Sequence, residues 1–296
     1  MTSTRIMPSD PPSSPEAQSD VLENTLPILD LDHPGASDPE YRKRREHIAS
    51  VARAFRDDPS SPFPVVDYSP EEDAVWKQCQ GQLAELHERH ACRAYVEGRR
   101  KLALPTDRIP QLGEVSERLA EIEGFRLWPV EGLVLPRIFL RHLERRIMLS
   151  TQYIRHPSRP LFTPEPDIVH ELLGHAPMFT HRAFAEFSAL VGRGARLADD
   201  EQIEKMSRLY WFTVEFGLIE EGDEVRAFGA GLLGGIEDLQ RAFSGEADLR
   251  PFDLEEIVEL DYDYNHPQPI YFVIPSFDRL RAEVKRLIAS FETAAN

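Results

Sequence analysis

The stretch Pro166–Phe179, "PDIVHELLGHAPMF", constrains this chain more than any other. It sets His170 and His175 five residues apart, with Glu171 beside the first, Gly174 before the second and Pro177 just beyond. On a continuous α-helix five residues turn through about 500°, which leaves the two side chains roughly 140° apart. That arrangement does not chelate. The four-residue spacing of zinc peptidases, which stacks two histidines on one helix face, is absent. Glycine can leave the helical region and end a helix, and proline opposes its continuation. A helix broken at Gly174 would let His175 swing back towards His170.

Two imidazoles need a third ligand, and it must come from another element. Two histidines and one carboxylate, with three positions left open, are the ligand set of non-haem Fe(II) oxygenases. Glu171 follows His170 directly, so it points to a different side of the helix. It suits a solvated helix charge, or a contact to cofactor or substrate. Glu215 is the better third ligand. In "LYWFTVEFGLI" it is the sole acid among aromatic and β-branched residues, where an unpaired carboxylate is costly. A metal ion would remove that cost; so would an ordinary ion pair, for which Arg155 is a candidate. Spacing alone leaves both readings open.

Composition narrows the function classes. With 34 basic and 51 acidic residues the formal charge is −17, which argues against a nucleic-acid or anionic-membrane surface. Small molecules are the expected partners. Cys79 and Cys92 are the two cysteines, too few for a disulfide framework and consistent with reduced thiols in a cytoplasmic protein. No apolar run is long enough to span a membrane, and the N-terminus lacks the apolar core of a secretory signal.

Residues 1–38, rich in Pro, Ser and Asp, read as a disordered tail. Residues 39–296 read as one domain, mainly α with a few short β-strands. Ser37 or Asp38 can cap a first helix with Pro39 in its opening turn. Ser69, followed by Pro70, Glu71 and Glu72, starts a long helix that runs through "ERHACRAYVEGRRKL", with Val75, Trp76, Cys79, Leu83, Leu86 and His90 at helical spacing. Further helices are expected over "IPQLGEVSERLAEIEG", in "LPRIFLRHLERR", and over "HRAFAEFSALVGRGARL". Another covers "DEQIEKMSRLYWFTVEFGLIEEG", ending at Gly217 or Gly222. "EVRAFGAGLLGGIEDLQRAF" suggests strand, glycine-rich turn and helix. "QPIYFVIPSF" is a strand, and a last helix closes the chain.

Three blocks carry a resemblance beyond spacing. "TQYIRHPSRPLFTPEPDIVHELLGHAPMF", "YWFTVEFGL" and "GAGLL" resemble, in order and separation, the catalytic domain of the pterin-dependent aromatic amino acid hydroxylases. The phenylalanine enzymes are the nearest match. The resemblance runs from about Asp38 to the last helix. It implies a basket of helices around a non-haem Fe(II) held by His170, His175 and Glu215, with a tetrahydropterin as second electron source. It implies hydroxylation of free L-phenylalanine by O₂, at the 4-position. Meta-hydroxylation, tyrosine 3-hydroxylation and a non-catalytic amino-acid or pterin-binding protein are the alternatives. Glu171 matches a glutamate near the pterin, and is the expected catalytic contact. "PVEGLVLPRIFL" matches the pterin loop, with backbone contacts from Gly132 and Leu133 and a stacking ring from Phe139. Arg155 matches the arginine that pairs with the substrate carboxylate. Thr163, Pro166, Trp211 and Phe216 match the substrate wall, and Gly234 is expected to line it too. The family's tetramerisation helix finds no counterpart, so a monomer is expected.

The chain also departs from that pattern. After "GAGLL" the family usually carries two serines, the first supporting an iron histidine; here Gly234 and Gly235 follow. In the pterin loop Trp128, Glu131 and Pro136 replace the residue types expected. Tyr262, Tyr264, Asn265 and His266 stand where a loop over the substrate should lie.

Overall fold

The computed structural model describes residues 33–263 and 266–294. The tail reading for residues 1–32, and Tyr264 and Asn265, lie outside the described residues. Helix dominates. Helix α1 (Pro39–Asp57) opens on Asp38, whose side chain accepts from the Glu40 and Tyr41 amides. This satisfies donors that a helix start leaves without partners. Helix α2 (Pro70–His90) begins with a reciprocal capping box between Ser69 and Glu72. It stops at His90, and α3 (Arg93–Leu102) follows. The long helix read from sequence is thus two helices, split where the Cys92 amide bonds to the Ala227 carbonyl and Ala91 bridges to Ala227. Pairing to a distant strand outweighs local helical preference there. The inward stripe also shifts: His87 is buried and His90 only partly so.

Helix α4 (Leu112–Glu123) leads into β1 (Arg126–Pro129), which pairs in parallel with β2 (Ile147–Ser150) across α5 (Pro136–Glu144). Helices α6 (Arg182–Leu197) and α7 (Asp200–Tyr210) follow, α7 with its own capping box from Asp199. A second sheet has the order β4-β3-β6-β5, from β3 (Leu218–Glu221), β4 (Glu224–Ala227), β5 (Asp248–Pro251) and β6 (Ile270–Ile274). Between its strands lie α8 (Ala230–Gly234), α9 (Ile236–Ala242) and α10 (Leu254–Glu259); α11 (Phe277–Ala294) closes the described chain. The glycine-rich "turn" is therefore itself helical at α8. Strands β1, β2 and β5 and helix α10 are not visible in the residue pattern, and β3 falls where a helix is expected to run on to Gly217 or Gly222: four to six residues carry too little periodicity to be told from their surroundings. The core joins Trp76, Tyr95, Phe179, Phe184, Phe187, Phe212, Phe228 and Phe272 in one cluster. Among the described residues no helix is long and apolar enough to cross a membrane.

Of the three unexpected residues in this region, Trp128 on β1 and Glu131 just beyond it are anchored to α1. Trp128 packs on Phe55 with ring centroids 4.9 Å apart. Glu131 is buried and pairs with Arg53 at 2.9 Å and with Arg56. Pro136 occupies the first turn of α5, where its missing N–H costs nothing.

Candidate metal centre

His170–His175 does not break at Gly174. It widens into a π-helical turn, in which the Ala176 amide bonds to the Glu171 carbonyl, five residues back. In this wider register five residues carry the chain only a little past one full turn, so the spacing that defeats an α-helix brings the two rings to the same side, edge to face. The Nε2 atoms of His170 and His175 are 3.0 Å apart. Gly174 is required for a different reason. A Cβ there would stand 2.6 Å from the Ala230 carbonyl oxygen, so the missing side chain lets α8 pack directly on the turn.

Glu215 ends a second π-helical turn, Trp211–Glu215, continuous with α7. It brings one carboxylate oxygen 3.2 Å from His175 Nε2 and the other 3.4 Å from His170 Nε2. Ligand atoms of the three residues all lie within 4.8 Å of one another. Two nitrogens bound to one ion at ~2.1 Å and at right angles would be about 3 Å apart, as these two are. The donor set therefore fits a cation. Burial pushes His170 down to about 4, which favours the neutral ring a metal needs. Burial opposes charge on Glu215 too, but the two histidines hold its carboxyl down, at about 2. His175 is depressed by burial yet raised overall by Glu215.

Arg155 is not the partner of Glu215. It is 2% exposed and bound to Asp167, which is fully buried. The Arg155 amide and Nε each donate to Asp167 Oδ2 at 2.8 Å, and Nη2 donates to Oδ1 at 2.7 Å. The same Oδ1 accepts from the His170 amide at 3.1 Å. One carboxylate thus orients the arginine and starts the histidine turn. Arg155 Nη2 also reaches the Gly234 carbonyl at 3.4 Å. Gly234 faces His170: a Cβ there would lie 2.9 Å from His170 Cα.

Glu171 is no solvated charge. It is 4% exposed and accepts from the Thr151 amide and hydroxyl, both at 3.1 Å. Burial pushes its carboxyl up to about 7. The Thr151 hydroxyl also reaches the Pro166 carbonyl at 3.2 Å, which ties Pro166 to this group. Thr163 stays on the proline loop, its hydroxyl donating to the Glu165 carbonyl. Phe139 meets Tyr210 edge-on, centroids 5.5 Å apart. It also packs on Val130, Ile147 and Leu149 beside the turn that carries Gly132 and Leu133. Gly132 is buried, and Leu133 is 48% exposed. Trp211 and Phe216 form one aromatic wall at 4.7 Å, with Tyr262 stacked on Trp211 at 4.5 Å.

Sequence reasoning missed several contributors. Tyr210 is buried beside Glu215, with its ring centroid 6.5 Å from that of His175. Gln268 accepts from the Trp211 indole at 2.9 Å and fixes its ring. Thr151 and Gln268 act through contacts far along the chain, which no local pattern reveals.

The family model described as biopterin-dependent aromatic amino acid hydroxylase matches residues 16–295. The chain is 45% identical over 273 residues to bovine (Bos taurus) tyrosine 3-monooxygenase, covering 90% of this chain and 55% of that protein. It is 44% identical over 266 residues to bovine phenylalanine-4-hydroxylase, covering 88% and 58%. It thus spans little more than half the length of these relatives. The cold-active phenylalanine hydroxylase of Colwellia psychrerythraea 34H superposes with a TM-score of 0.72 at 32% identity, covering 78% of this chain and 92% of that one. The Chromobacterium violaceum phenylalanine hydroxylase with bound iron(III) and 7,8-dihydrobiopterin gives 0.70 at 31% identity, covering 77% and 84%. The chain belongs to the biopterin-dependent aromatic amino acid hydroxylase family.

Proposed function

We propose that this protein hydroxylates the ring of free L-phenylalanine at the 4-position, using O₂, a tetrahydropterin and an Fe(II) held by His170, His175 and Glu215. The carrying observation is the convergence of two imidazole nitrogens from one turn with a carboxylate from a second within the matched family region. When bound, iron and reduced pterin supply the electrons that reduce O₂. The protein positions the partners. Asp167 takes the Nε and Nη2 edge of Arg155. Nη1 is left to donate to a substrate carboxylate, with the guanidinium plane already fixed. Trp211 and Phe216 offer faces to an aromatic ring, while Phe139 offers one to the pterin. Glu171, its carboxyl pushed up to about 7, can hold or release a proton near the pterin.

Tyrosine 3-hydroxylation is the second reading, because relatives of both activities match at nearly equal identity. The test is one assay: purified protein with Fe(II), tetrahydropterin and O₂, offered phenylalanine, tyrosine and tryptophan. Products are separated against para-, meta- and ortho-tyrosine, 3,4-dihydroxyphenylalanine and 5-hydroxytryptophan standards. Para-tyrosine supports the proposal. 3,4-Dihydroxyphenylalanine or meta-tyrosine as main product replaces it with that regiochemistry. An iron-loaded protein that converts nothing makes this a binding protein.

A further inference from the structure

Two backbone carbonyls beside the histidines lack their ordinary helical partners. Leu173 lies between His170 and His175. In an α-helix its carbonyl would accept from residue 177, which is Pro177 and has no N–H, and the π-helical turn ends at His175, short of Met178, the donor its wider register would call for. Leu233 precedes Gly234 in the last turn of the short helix α8, where carbonyls run out of intrahelical donors. Leaving either unsatisfied in the core is costly.

Both are satisfied from one place. The Tyr95 hydroxyl, on α3, donates to the Leu173 carbonyl at 2.6 Å. His87 Nε2, on α2, lies 2.8 Å from the Leu233 carbonyl. Arg99 Nη1 lies 2.9 Å from His87 Nδ1. Arginine can only donate, so Nδ1 accepts and Nε2 carries the proton that Leu233 receives. Gln80 in turn holds Arg99. His87 and Tyr95 rings meet edge-on at 4.7 Å, and both are buried. The two carbonyls belong to the two segments that touch through Gly174 on Ala230 and through Gly234 on His170.

We propose that His87 and Tyr95 are positioning residues that clamp α8 against the histidine turn and so set the aim of His170 at the metal. This rests on the ligand assignment proposed above. The clamp reaches the ligands only through backbone, so its loss should loosen metal binding without removing any ligand.

The test uses the full chain, stripped of metal. Fe(II) affinity is measured by chelator competition, the ligand field by the visible spectrum of the Co(II) form, and apo stability by thermal unfolding. Tyr95→Phe and His87→Phe are expected to weaken Fe(II) binding about tenfold, as loss of supporting hydrogen bonds commonly does, and to shift the Co(II) bands. His87→Gln, which keeps a donor for Leu233, is expected to recover most of the affinity. If His87→Phe does not fold, Tyr95→Phe and His87→Gln decide alone. Unchanged affinity and Co(II) spectrum, whatever happens to unfolding temperature, reduce the pair to ordinary core and overturn the proposal. A wild type that binds no Fe(II) overturns the ligand assignment and the clamp together. Normal wild-type binding with unaffected variants overturns the clamp alone.

Discussion

Asp167→Asn tests how the site is held. The change is isosteric, yet it touches four donors. Oδ2 accepts from the Arg155 amide and Nε, and Oδ1 from Arg155 Nη2 and the His170 amide. An asparagine must turn its NH₂ towards one of these pairs, so donor faces donor whichever way it flips. Two hydrogen bonds are lost, and a guanidinium that is 2% exposed is left without a counter-charge. Removing one partner of a buried pair costs about 3–5 kcal/mol. The total stability of a domain is about 5–15 kcal/mol, so the variant should fold with little reserve. At ~2–4 °C per kcal/mol for a chain of this class, Tm should fall by roughly 10 °C. The assay is thermal and urea unfolding of the metal-free protein, beside the double variant Asp167→Leu/Arg155→Met. Because that double variant buries no unpaired charge, it should be more stable than Asp167→Asn. A loss under about 1 kcal/mol in the single variant would show that water reaches the pair. A double variant worse than the single one would show that the cost lies in shape, not charge. Either result refutes the reasoning.

Three further outcomes are expected. Glu215→Ala should abolish stoichiometric Fe(II) binding and turnover while the fold persists; unchanged iron content by metal analysis would remove Glu215 from the ligand set. Gly234→Ala should gain about 1 kcal/mol of helix propensity but lose about 1–3 to overpacking on His170 Cα. It should therefore weaken Fe(II) binding, whereas unchanged affinity would mean that α8 yields freely. His87 is held neutral, burial and then Arg99 pushing it down to about 3. Between its ordinary value of 6.5 and about 3 the unfolded chain binds the extra proton, so stability rises with pH across that window. Going from pH 7 to pH 5 should remove on the order of 2 kcal/mol through this residue. His87→Gln should flatten the slope of unfolding free energy against pH by up to one proton, and an identical slope would contradict a buried neutral ring.

What the sequence disclosed follows from how local each signal is. Asp38, Ser69 and Pro39 announce helix starts because capping is settled within four residues. Glu215 was legible because a lone acid in an apolar run must find a partner. The π-helical turn was not legible as such. The histidine spacing excluded a regular helix, but a break and a widened turn satisfy that spacing equally. What selects the wider turn is long-range, with α8 pressed on Gly174 and Tyr95 supplying the Leu173 carbonyl. The same holds for Arg155. Its charge was plain, while its partner twelve residues on required the fold.

Gly234 shows why a departure from family pattern has to be read in three dimensions. By resemblance, a glycine there forfeits a serine that would hydrogen-bond an iron histidine. In this chain the consequence is steric as well. With no Cβ, the Gly234 backbone sits against His170 Cα, and its carbonyl receives Arg155 Nη2. A serine would have to push the turn or α8 away before its hydroxyl could bond. That would strain the contact through Gly174 and the two capped carbonyls of Leu173 and Leu233. Close backbone packing, fixed from behind by His87 and Tyr95, therefore takes the place of a side-chain hydrogen bond. On this argument Gly234→Ser restores the family residue but not the family geometry, and needs a second change at His87 or Tyr95 to be tolerated.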